Sequence, residues 1–473
     1  MKTLTMKFGG TSVGSVEAIS NVVEIVRDEV ENGNRVVIVV SAMGGVTDML
    51  LETVNAAVAG DKWEYQKLAD KIRDRHEDTI EALMEPGEDR DTILKKINKL
   101  IDDQLKLCEA VGILGERTDR IMDGLVSFGE RLSSRMMAAI MREYGVNAKQ
   151  FDATKLLLTN DNFQDADPIW DATQARIENH IGGALQEGFV PVITGFIGST
   201  ADGITTTLGR GGSDYSAAIM AAYSGSDELI IWTDVDGVMT TDPRIDDRAQ
   251  VLPTVSYQEV GELAFYGAKV LHPKTVQPII DLDMPVRVRN TFNPSHPGTL
   301  IRSESEAIDT IIKAVTVVRN VSLLTVGGRG MIGVPGIAGR AFGATARAGA
   351  SILMISQSSS EQSFCFTVPE NKAVDVRGSI ETELTEEIHS RDVDSVVIQD
   401  DIVIITAVGS GMRGTPGIAG RVFTVMGDNG VNVLSIAQGS SECSISFIVS
   451  EADTERAVVA LHDLALETVR SLS

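Results

Sequence analysis

A lysine followed by two glycines lies near the start of the chain, in the stretch MKFGGTSVGS. Lys7 is suited to binding an anion, and Gly9 and Gly10 let the backbone approach a phosphate closely. The order reverses that of the P-loop GxxxxGK[ST], in which the lysine follows the glycines. We predict that Lys7 ends a short strand and that Thr11 and Ser12 cap the helix after it. An ordinary strand-to-helix turn accounts for the same ten residues, so the rest of the chain has to decide.

Two further stretches combine glycines with side chains that bind anions or polar ligands. VSAMGGVTD is a second glycine turn, with hydroxyls at Ser41 and Thr47. TTLGRGGSDYSAA contains Arg210 between glycines, followed by Ser213 and Asp214, which we expect to open an alanine-rich helix.

An acid and a second lysine come from other stretches. SFGERLSS places Glu130 near a helix start, where the helix dipole stabilises a purely structural acid as well. WTDVDGVMTTDPR supplies acids and hydroxyls, and YGAKVLHP supplies Lys269. Each stretch has a plainer explanation as a turn, a cap or a surface lysine, so only the combination argues for a site. The histidines have no ligand spacing, and we expect His272 to be structural.

Short apolar runs rich in β-branched residues alternate with amphipathic stretches up to about residue 301. RVVIVV, VPVITGFIG, ELIIWTDVDG and MPVRVRN are typical of strands, which predicts a buried, mostly parallel sheet between helical layers. Between residues 61 and 120 apolar residues recur at threes and fours, as at Ile93, Ile97 and Ile101, which predicts a helical insertion. The segment 293–309, rich in Pro, Ser and acids, marks a domain boundary.

The last third of the chain contains a duplicated unit. GMIGVPGIAGRAF begins at Gly330 and GMRGTPGIAGRVF begins 81 residues later at Gly411, which predicts two ferredoxin-like βαββα units. GRGMIG and GSGMRG also fit the dinucleotide pattern GxGxxG. The strand after each helix ends in Gln357 or Gln438, however, and not in the acid that a ribose requires. We therefore expect a tight turn at which a small ligand or a partner subunit approaches the backbone.

Composition limits the classes of protein. The formal net charge of -25 over 473 residues makes nucleic acid and anionic membrane surfaces poor partners. Cys108, Cys365 and Cys443 are odd in number and widely spaced, which argues against a disulfide framework or a zinc site and favours a reducing compartment. No signal-type leader opens the chain, and the apolar run VVIVVSAM has the length of a strand. We therefore expect a cytoplasmic protein without a membrane segment.

Together these motifs resemble the aspartokinases, members of the amino acid kinase family with tandem ACT domains. KFGGTSV, VSAM, GRGGSDYSA, TDVDGVMTTDPR and GAKVLHP occur in that family's order, and the resemblance covers essentially the whole chain. It implies an α/β amino acid kinase fold, a mostly parallel sheet between helical layers, over residues 1–303. Two ferredoxin-like α+β ACT domains would follow, over 316–395 and 396–473. The implied reaction is transfer of the γ-phosphoryl group of ATP to the side-chain carboxylate of L-aspartate, the first step of lysine, threonine and methionine biosynthesis.

The resemblance also implies roles for the residues. Lys7 and Lys269 would compensate phosphate charge, Asp214 would orient the lysines, and Mg²⁺ would arrive with ATP. The carboxylate nucleophile is already ionised and needs no general base. Arg210 would bind one of the aspartate carboxylates, and Glu130 the ammonium. The implied catalytic residues are Lys7, Arg210, Asp214 and Lys269. The implied substrate-binding residues are Ser41, Thr47, Glu130, Phe196, Thr207, Arg210 and Ser213. The implied nucleotide-binding residues are Lys7, Gly9, Gly10, Thr233, Asp234, Arg244, Lys269 and Val270.

The duplicated half resembles ACT regulatory domains, which bind an amino acid. The stretches QSSSEQS and QGSSECS are most like the threonine-sensitive type, because a side-chain amide beside serines pairs with a small polar ligand. Glu361 and Glu442 leave lysine open as an effector, and these polar strand ends could instead only build a dimer interface. We expect at least a homodimer through the ACT domains, with effector pockets at that interface. The implied effector-binding residues are Met331, Gly336, Ile337, Ala338, Gln357 and Gln438.

Three other functions fit part of the sequence. Another amino acid kinase, acting on glutamate, acetylglutamate or a nucleotide, is disfavoured by the full motif set and the ACT pair. A catalytically inactive amino-acid sensor of the same fold is disfavoured by the presence of Lys7, Arg210, Asp214 and Lys269. A bifunctional kinase-dehydrogenase is not expected, because the sequence ends at Ser473 without a dehydrogenase segment.

Overall fold

The structure is a computed structural model that describes residues 1–268, 271, 273–303, 311–331, 334–357, 362–439 and 441–470. The chain divides into two compact units. The first unit comprises Met1–Val238, Pro253–Tyr257 and Leu271–Ser305, and the second comprises Met239–Leu252, Gln258–Val270 and Glu306–Ser473. Within the described ranges, no helix is both long enough and apolar enough to cross a membrane.

The elements are numbered along the chain. The strands are β1 (Thr3–Phe8), β2 (Arg35–Val40), β3 (Ala148–Phe151), β4 (Val190–Thr194), β5 (Ile197–Ser199), β6 (Thr205–Thr207), β7 (Glu228–Thr233), β8 (Thr254–Ser256), β9 (Val286–Asn290), β10 (Thr299–Arg302), β11 (Ala314–Gly327), β12 (Met354–Gln357), β13 (Ser363–Pro369), β14 (Ser395–Val408), β15 (Ser435–Gln438) and β16 (Ser444–Ser450). The helices are α1 (Val16–Glu31), α2 (Val46–Val58), α3 (Lys62–Leu83), α4 (Glu88–Leu114), α5 (Asp119–Val126), α6 (Phe128–Glu143), α7 (Trp170–Ile177), α8 (Gly183–Gln186), α9 (Gly212–Tyr223), α10 (Tyr257–Phe265), α11 (Pro273–Ile280), α12 (Ile337–Arg347), α13 (Ala373–Glu383), α14 (Thr385–Ser390), α15 (Ile418–Asp428) and α16 (Thr454–Arg470).

The first unit is built on an eight-stranded sheet with the order β3-β4-β2-β1-β7-β9-β10-β8. Neighbouring strands run parallel except β9 and β10, which confirms the predicted mostly parallel sheet. The central strands β1 and β2 are buried along nearly their whole length, as expected of strands covered by helices on both faces. Their carboxyl ends therefore lie side by side at one edge of the sheet, where ligands bind in open α/β folds.

The helical insertion is confirmed by two long helices, α3 and α4. Ile93, Ile97 and Ile101 are all buried on one side of α4, because residues at these spacings share a helix face. The structure also shows that Cys108 and Val111 continue the buried face about two to three turns further along the same helix.

Two local predictions are wrong. The helix after the first strand is capped by Ser15, whose Oγ accepts the Ala18 N–H, and not by Thr11 or Ser12. The Ser12 hydroxyl is fully buried and contacts the Thr291 hydroxyl at 2.7 Å instead. The run VPVITGFIG is not one strand, because it breaks after β4 and resumes at β5. At the break Phe196 adopts a left-handed conformation with φ of 69°.

The second unit contains a six-stranded antiparallel sheet with the order β12-β13-β11-β14-β16-β15. Both copies of the repeat have the predicted βαββα order, which confirms the ferredoxin-like duplication. The long strands β11 and β14 pair with each other, with register shifts between Val318 and Leu323. The first part of β11 packs in the core that contains Phe447 of the second copy, whereas Val396 of β14 packs with Phe364 of the first.

Part of β11 therefore belongs to the core of the second repeat, and part of β14 belongs to the core of the first. A division of the chain into two consecutive domains does not describe this exchange. Segments 239–252 and 258–270 likewise precede the repeats in sequence but fold with them in the second unit. Of the predicted boundary segment 293–309, the part from residue 304 onward lies outside the described residues.

Candidate active site

An ion pair lies at the carboxyl end of the central strand. Lys7 is the next-to-last residue of β1, between Val39 of β2 and Ile231 of β7. Its Nζ lies 2.5 Å from Oδ1 of Asp214, and the two side chains are only 12% and 19% exposed. Asp214 lies in the first turn of α9, which begins after Gly211 in a left-handed conformation. The positive end of this helix and the lysine therefore face the same space, an arrangement suited to anions.

That space is a cleft of about 410 Å³ in the first unit. Glycine turns from three places in the sequence contribute to its wall, after β1, after β2 and before α9. The structure therefore brings together side chains that are up to about two hundred positions apart in the sequence. The predicted residues that line the cleft are Lys7, Gly10, Ser41, Thr47, Glu130, Phe196, Arg210, Ser213 and Asp214.

The glycine turns after β1 and β2 are in direct backbone contact. The Gly44 N–H donates to the Gly10 carbonyl at 2.9 Å. A Cβ added at Gly14 would lie 2.8 Å from the same carbonyl oxygen, so the turn has no room for a side chain there. The Gly9 N–H already donates to the Trp232 carbonyl at 3.3 Å. In this conformation the Gly9 N–H is therefore used within the protein.

Glu130 is the buried acid of the cleft. It lies in the first turn of α6, is 4% exposed, and accepts the Ala42 N–H at 3.2 Å. Burial raises the pKa of its carboxyl to about 7, against the opposing effect of that hydrogen bond. A cation that enters the cleft would replace the lost solvation and favour the carboxylate.

Thr207 does not line the cleft, contrary to its predicted role in substrate binding. It is 2% exposed, and its hydroxyl and N–H donate to Asp123 at 2.8 and 2.9 Å. Asp123 also accepts the Gln164 N–H, and burial raises the pKa of its carboxyl despite these three bonds. Asp123 was missed from the sequence because nothing in its helix marks it as more than a surface acid.

The structure describes only some of the residues that were predicted to bind the nucleotide. Thr233 ends β7, and its hydroxyl donates to the exposed Asp234 at 3.2 Å. Arg244 lies in the second unit, where it pairs with Asp242. Lys269 and Val270 lie outside the described residues, as does His272.

The second unit contains a cavity of about 260 Å³ in the second repeat, lined by Gln438 and Glu442 among others. The lining includes the counterparts, 81 positions later, of four residues predicted as effector-binding in the first repeat, namely Met412, Gly417, Ile418 and Ala419. In the first repeat, Met331 and Ile337 are buried, Gly336 is left-handed, and Gln357 is exposed at the end of β12. Residues 332–333 and 358–361 lie outside the described residues, Glu361 among them.

Comparison with known proteins identifies the family. The chain matches the amino acid kinase family over residues 2–290 and the ACT domain over 324–384 and 405–464. It is 35% identical over 473 residues to "Aspartokinase 1, chloroplastic" of Arabidopsis thaliana, covering 98% of this chain and 80% of that protein. The chain belongs to the aspartokinases. It is also 37% identical over 465 residues to "Bifunctional aspartokinase/homoserine dehydrogenase 1, chloroplastic" of the same plant, covering 96% of this chain. The present chain spans about half, 50%, of the length of that bifunctional protein.

Solved structures of the family have the same architecture. Aspartokinase III of E. coli in complex with aspartate and ADP, in the R-state, superposes with a TM-score of 0.80 at 31% identity, over 98% of this chain and 100% of that one. The same enzyme in complex with lysine and aspartate, in the T-state, gives a TM-score of 0.80 at 32% identity, with the same coverage. The amino acid kinase fold with ACT domains is thereby confirmed.

Proposed function

We propose that the chain is an aspartate kinase, which transfers the γ-phosphoryl group of ATP to the side-chain carboxylate of L-aspartate. The observation that carries this proposal is the Lys7–Asp214 ion pair in one cleft with Glu130 and Arg210. The cleft thus combines a cation for phosphate, an acid for an ammonium group and a guanidinium for a carboxylate. The complex of the E. coli relative with aspartate and ADP supports the same pair of ligands.

The chemistry demands charge compensation more than proton transfer. The acceptor carboxylate is ionised at neutral pH, so an in-line attack brings two anions together. Lys7 at the end of β1 would stabilise the charge that develops on the transferring phosphoryl group. Asp214, 2.5 Å from the Lys7 ammonium, fixes the direction of that side chain and accepts no proton from the acceptor.

Mg²⁺ would accompany the nucleotide. Among the residues the structure describes, no three His, Cys, Asp or Glu side chains are grouped so as to hold a metal by themselves. The ion keeps several waters and binds mainly to substrate phosphates in many kinases, which fits this donor set. When bound, it would neutralise charge on the phosphate oxygens.

Aspartate recognition would depend on two charges, the buried Glu130 and the exposed Arg210. Glu130 would meet the ammonium, and Arg210, between two left-handed glycines, would reach one of the carboxylates with its planar fork. Ser41, Thr47 and Ser213 line the same cleft and offer hydroxyls. This arrangement requires an acceptor that carries both an ammonium and two carboxylates.

For regulation we propose an amino acid bound in the ACT repeats, with threonine favoured over lysine, in at least a dimer. The second-repeat cavity supports this proposal, because the Gln438 amide and backbone groups of the glycine turn surround a volume suited to a small amino acid. One carboxylate oxygen of Glu442 accepts the Gly414 N–H at 2.9 Å, and the other leaves lysine open as the alternative effector.

A hydroxamate assay on aspartate tests both parts. ATP-dependent formation of aspartyl hydroxamate is expected with aspartate and not with glutamate or acetylglutamate. Threonine, lysine and methionine are then added separately at millimolar levels, and inhibition by threonine alone is expected. If no acceptor gives a hydroxamate, the result would favour the catalytically inactive sensor. If lysine alone inhibits, lysine would take the place of threonine as the effector.

A further inference from the structure

Phe196 has an uncommon backbone conformation for an aromatic residue. Its φ is 69°, and the other described non-glycine residues with a positive φ are all polar. Bulky side chains rarely adopt this left-handed region, and such outliers concentrate at functional sites, where surrounding structure enforces them. Phe196 lines the cleft at the break between β4 and β5.

The surrounding hydrogen bonds fix this conformation on both sides. The Phe196 N–H donates to Oγ of Ser216 at 3.0 Å, and its carbonyl accepts the Leu208 N–H at 2.9 Å. The preceding Gly195 N–H donates to the Val40 carbonyl at 2.9 Å, which ties the break to the end of β2. Ser216 is fully buried on α9, and its own hydroxyl donates back to the Ser213 carbonyl.

The ring of Phe196 is fixed by the same helix. A Cβ added at Gly212 would lie 2.7 Å from Cδ2 of the ring, so the ring packs flush against the helix start. A Cβ added at Gly195 would lie 2.9 Å from Cβ of Ser213, so the backbone is equally close there. The first turn of α9, which carries Asp214, and the aromatic wall of the cleft are therefore held as one body.

We propose that Ser216 is a positioning residue for the acceptor site: its hydroxyl holds Phe196 in the left-handed conformation and so keeps the ring as a wall of the cleft. Ser216 does not line the cleft and acts only through Phe196 and the start of α9. This inference rests on the proposed function, since the acceptor it concerns is aspartate.

A double-mutant cycle of Ser216→Ala and Phe196→Gly tests the proposal. Glycine adopts a positive φ freely, so Phe196→Gly removes both the ring and the need for a partner that enforces the conformation. Ser216→Ala alone should raise KM for aspartate about 3- to 10-fold, the range for one net hydrogen bond, with KM for ATP changed less than about 2-fold. In the Phe196→Gly background, the same change should alter KM for aspartate by less than about 2-fold, because the ring that the hydrogen bond positions is gone.

Ser133→Ala is the matched control. Ser133 is a fully buried helix serine like Ser216, but its hydroxyl has no hydrogen-bond partner in the described part of the chain. Its replacement should leave both KM values unchanged. If Ser216→Ala does not fold, Ser216→Cys is measured in its place, because a thiol fills similar space but accepts hydrogen bonds weakly.

The outcomes separate the two hypotheses. Equal effects of Ser216→Ala in both backgrounds, or equal changes in the two KM values, would overturn the positioning role and leave a packing role. A wild-type enzyme with no aspartate-dependent ADP formation would overturn the proposed acceptor instead, before the cycle is measured.

Discussion

At the scale of single residues, the site depends on charges that the fold keeps partly out of water. Lys7 and Asp214 are each less than one-fifth exposed, so their interaction is screened less than that of a surface pair. The cleft holds a second acid, Glu130, whose pKa is raised by burial. One acid is thus paired within the protein, and the other has no cationic partner among the residues that the structure describes.

The first prediction concerns Lys7. Lys7→Ala should lower kcat by roughly 10³-fold, the scale for loss of a charge-stabilising group in phosphoryl transfer, with little change in thermal stability. The measurement is ADP release at saturating aspartate and ATP. Lys2→Ala, which removes an exposed lysine next to the same strand, is the control and should keep wild-type turnover. Near-normal turnover in a folded Lys7→Ala enzyme would rule out the catalytic assignment.

The second prediction uses the raised pKa of Glu130, about 7 against a usual value of 4.5. Only the carboxylate attracts an ammonium, so KM for aspartate should fall as pH rises from 6 to 8. Glu130→Gln keeps the acceptor for the Ala42 N–H but removes the charge. It should raise KM for aspartate at pH 8, leave KM for ATP nearly constant, and flatten the pH profile. If the variant keeps the wild-type dependence of KM on pH, a group other than Glu130 is responsible for it.

The same shift has a consequence for stability. Between pH 4.5 and 7 the unfolded chain has lost the Glu130 proton while the folded one still holds it, so folding stability falls as pH rises through this window. At one pKa unit per 1.36 kcal/mol, the free energy lost by pH 8 is up to about 3 kcal/mol. Glu130→Gln should therefore unfold at a higher temperature than wild type at pH 8, without ligand, and the difference should shrink toward pH 4.5.

Glycine-rich motifs and charged side chains marked these residues in the sequence, and the resemblance to the aspartokinases implied their roles. Lys7, Glu130, Arg210 and Asp214 all line the predicted cleft or pair across it. Sequence reasoning misplaced Thr207, because a hydroxyl at a strand end gives no sign of whether it faces a cleft or a buried acid. That distinction depends on tertiary packing, here on Asp123 more than eighty positions away.

At the scale of elements, the cleft is formed by turns that pack backbone against backbone. The strands and the helical insertion were predictable, because their apolar residues recur with the period of a strand or of a helix. The break between β4 and β5 was not predictable, because VPVITGFIG contains only one polar side chain, Thr194, and reads as one continuous strand. At this break the Phe196 N–H donates to the hydroxyl of Ser216, a residue twenty positions away.

The third prediction tests the contact between two glycine turns. Gly14→Ala would bring a Cβ to 2.8 Å from the Gly10 carbonyl oxygen, a backbone atom that can move only with the turn. Overpacking of this kind costs about 1–3 kcal/mol, so a lower melting temperature and reduced activity are expected. Gly124→Ala is the control: it lies within α5 with open space around it, and the change should be neutral or stabilising by about 0.5–1 kcal/mol. Equal melting temperatures for the two variants would contradict the packing argument.

At the scale of the whole molecule, the second unit includes chain segments from the catalytic half of the sequence. In it, Lys313 and Glu259 form a buried ion pair at 3.0 Å, with side chains 3% and 1% exposed. His462 of α16 is fully buried and contacts both Asp246 and Thr240. The family motif TTDPR and the start of YGAKVLHP therefore fold with the repeats, whereas Leu271 belongs to the first unit, an organisation that contiguous domain boundaries drawn from the sequence did not anticipate.

Glu262 connects one such segment to the second-repeat cavity. It lies on α10, which ends at Phe265, four residues before Lys269. Its carboxylate accepts the hydroxyls of Ser441 and Ser444 at 3.2 and 2.8 Å. Ser441 precedes β16 and Ser444 is its first residue, and the cavity is lined by their neighbours Glu442 and Ile445. A ligand that shifts this hairpin therefore also acts on the bonds that hold α10.

The last prediction follows from that connection. A ligand biases an equilibrium only through its different affinity for the two states, and the Glu262 bonds are contacts that the two states need not share. Glu262→Ala should leave kcat and both KM values nearly unchanged without effector, but raise the threonine concentration for half-inhibition several-fold. Gln438→Ala, which alters the cavity directly, should shift the same curve. Glu455→Ala, an exposed acid on α16, should not. Superimposable threonine curves for Glu262→Ala and wild type would exclude α10 from the regulatory path, whereas a curve shifted only in Gln438→Ala would keep the cavity and place the coupling elsewhere.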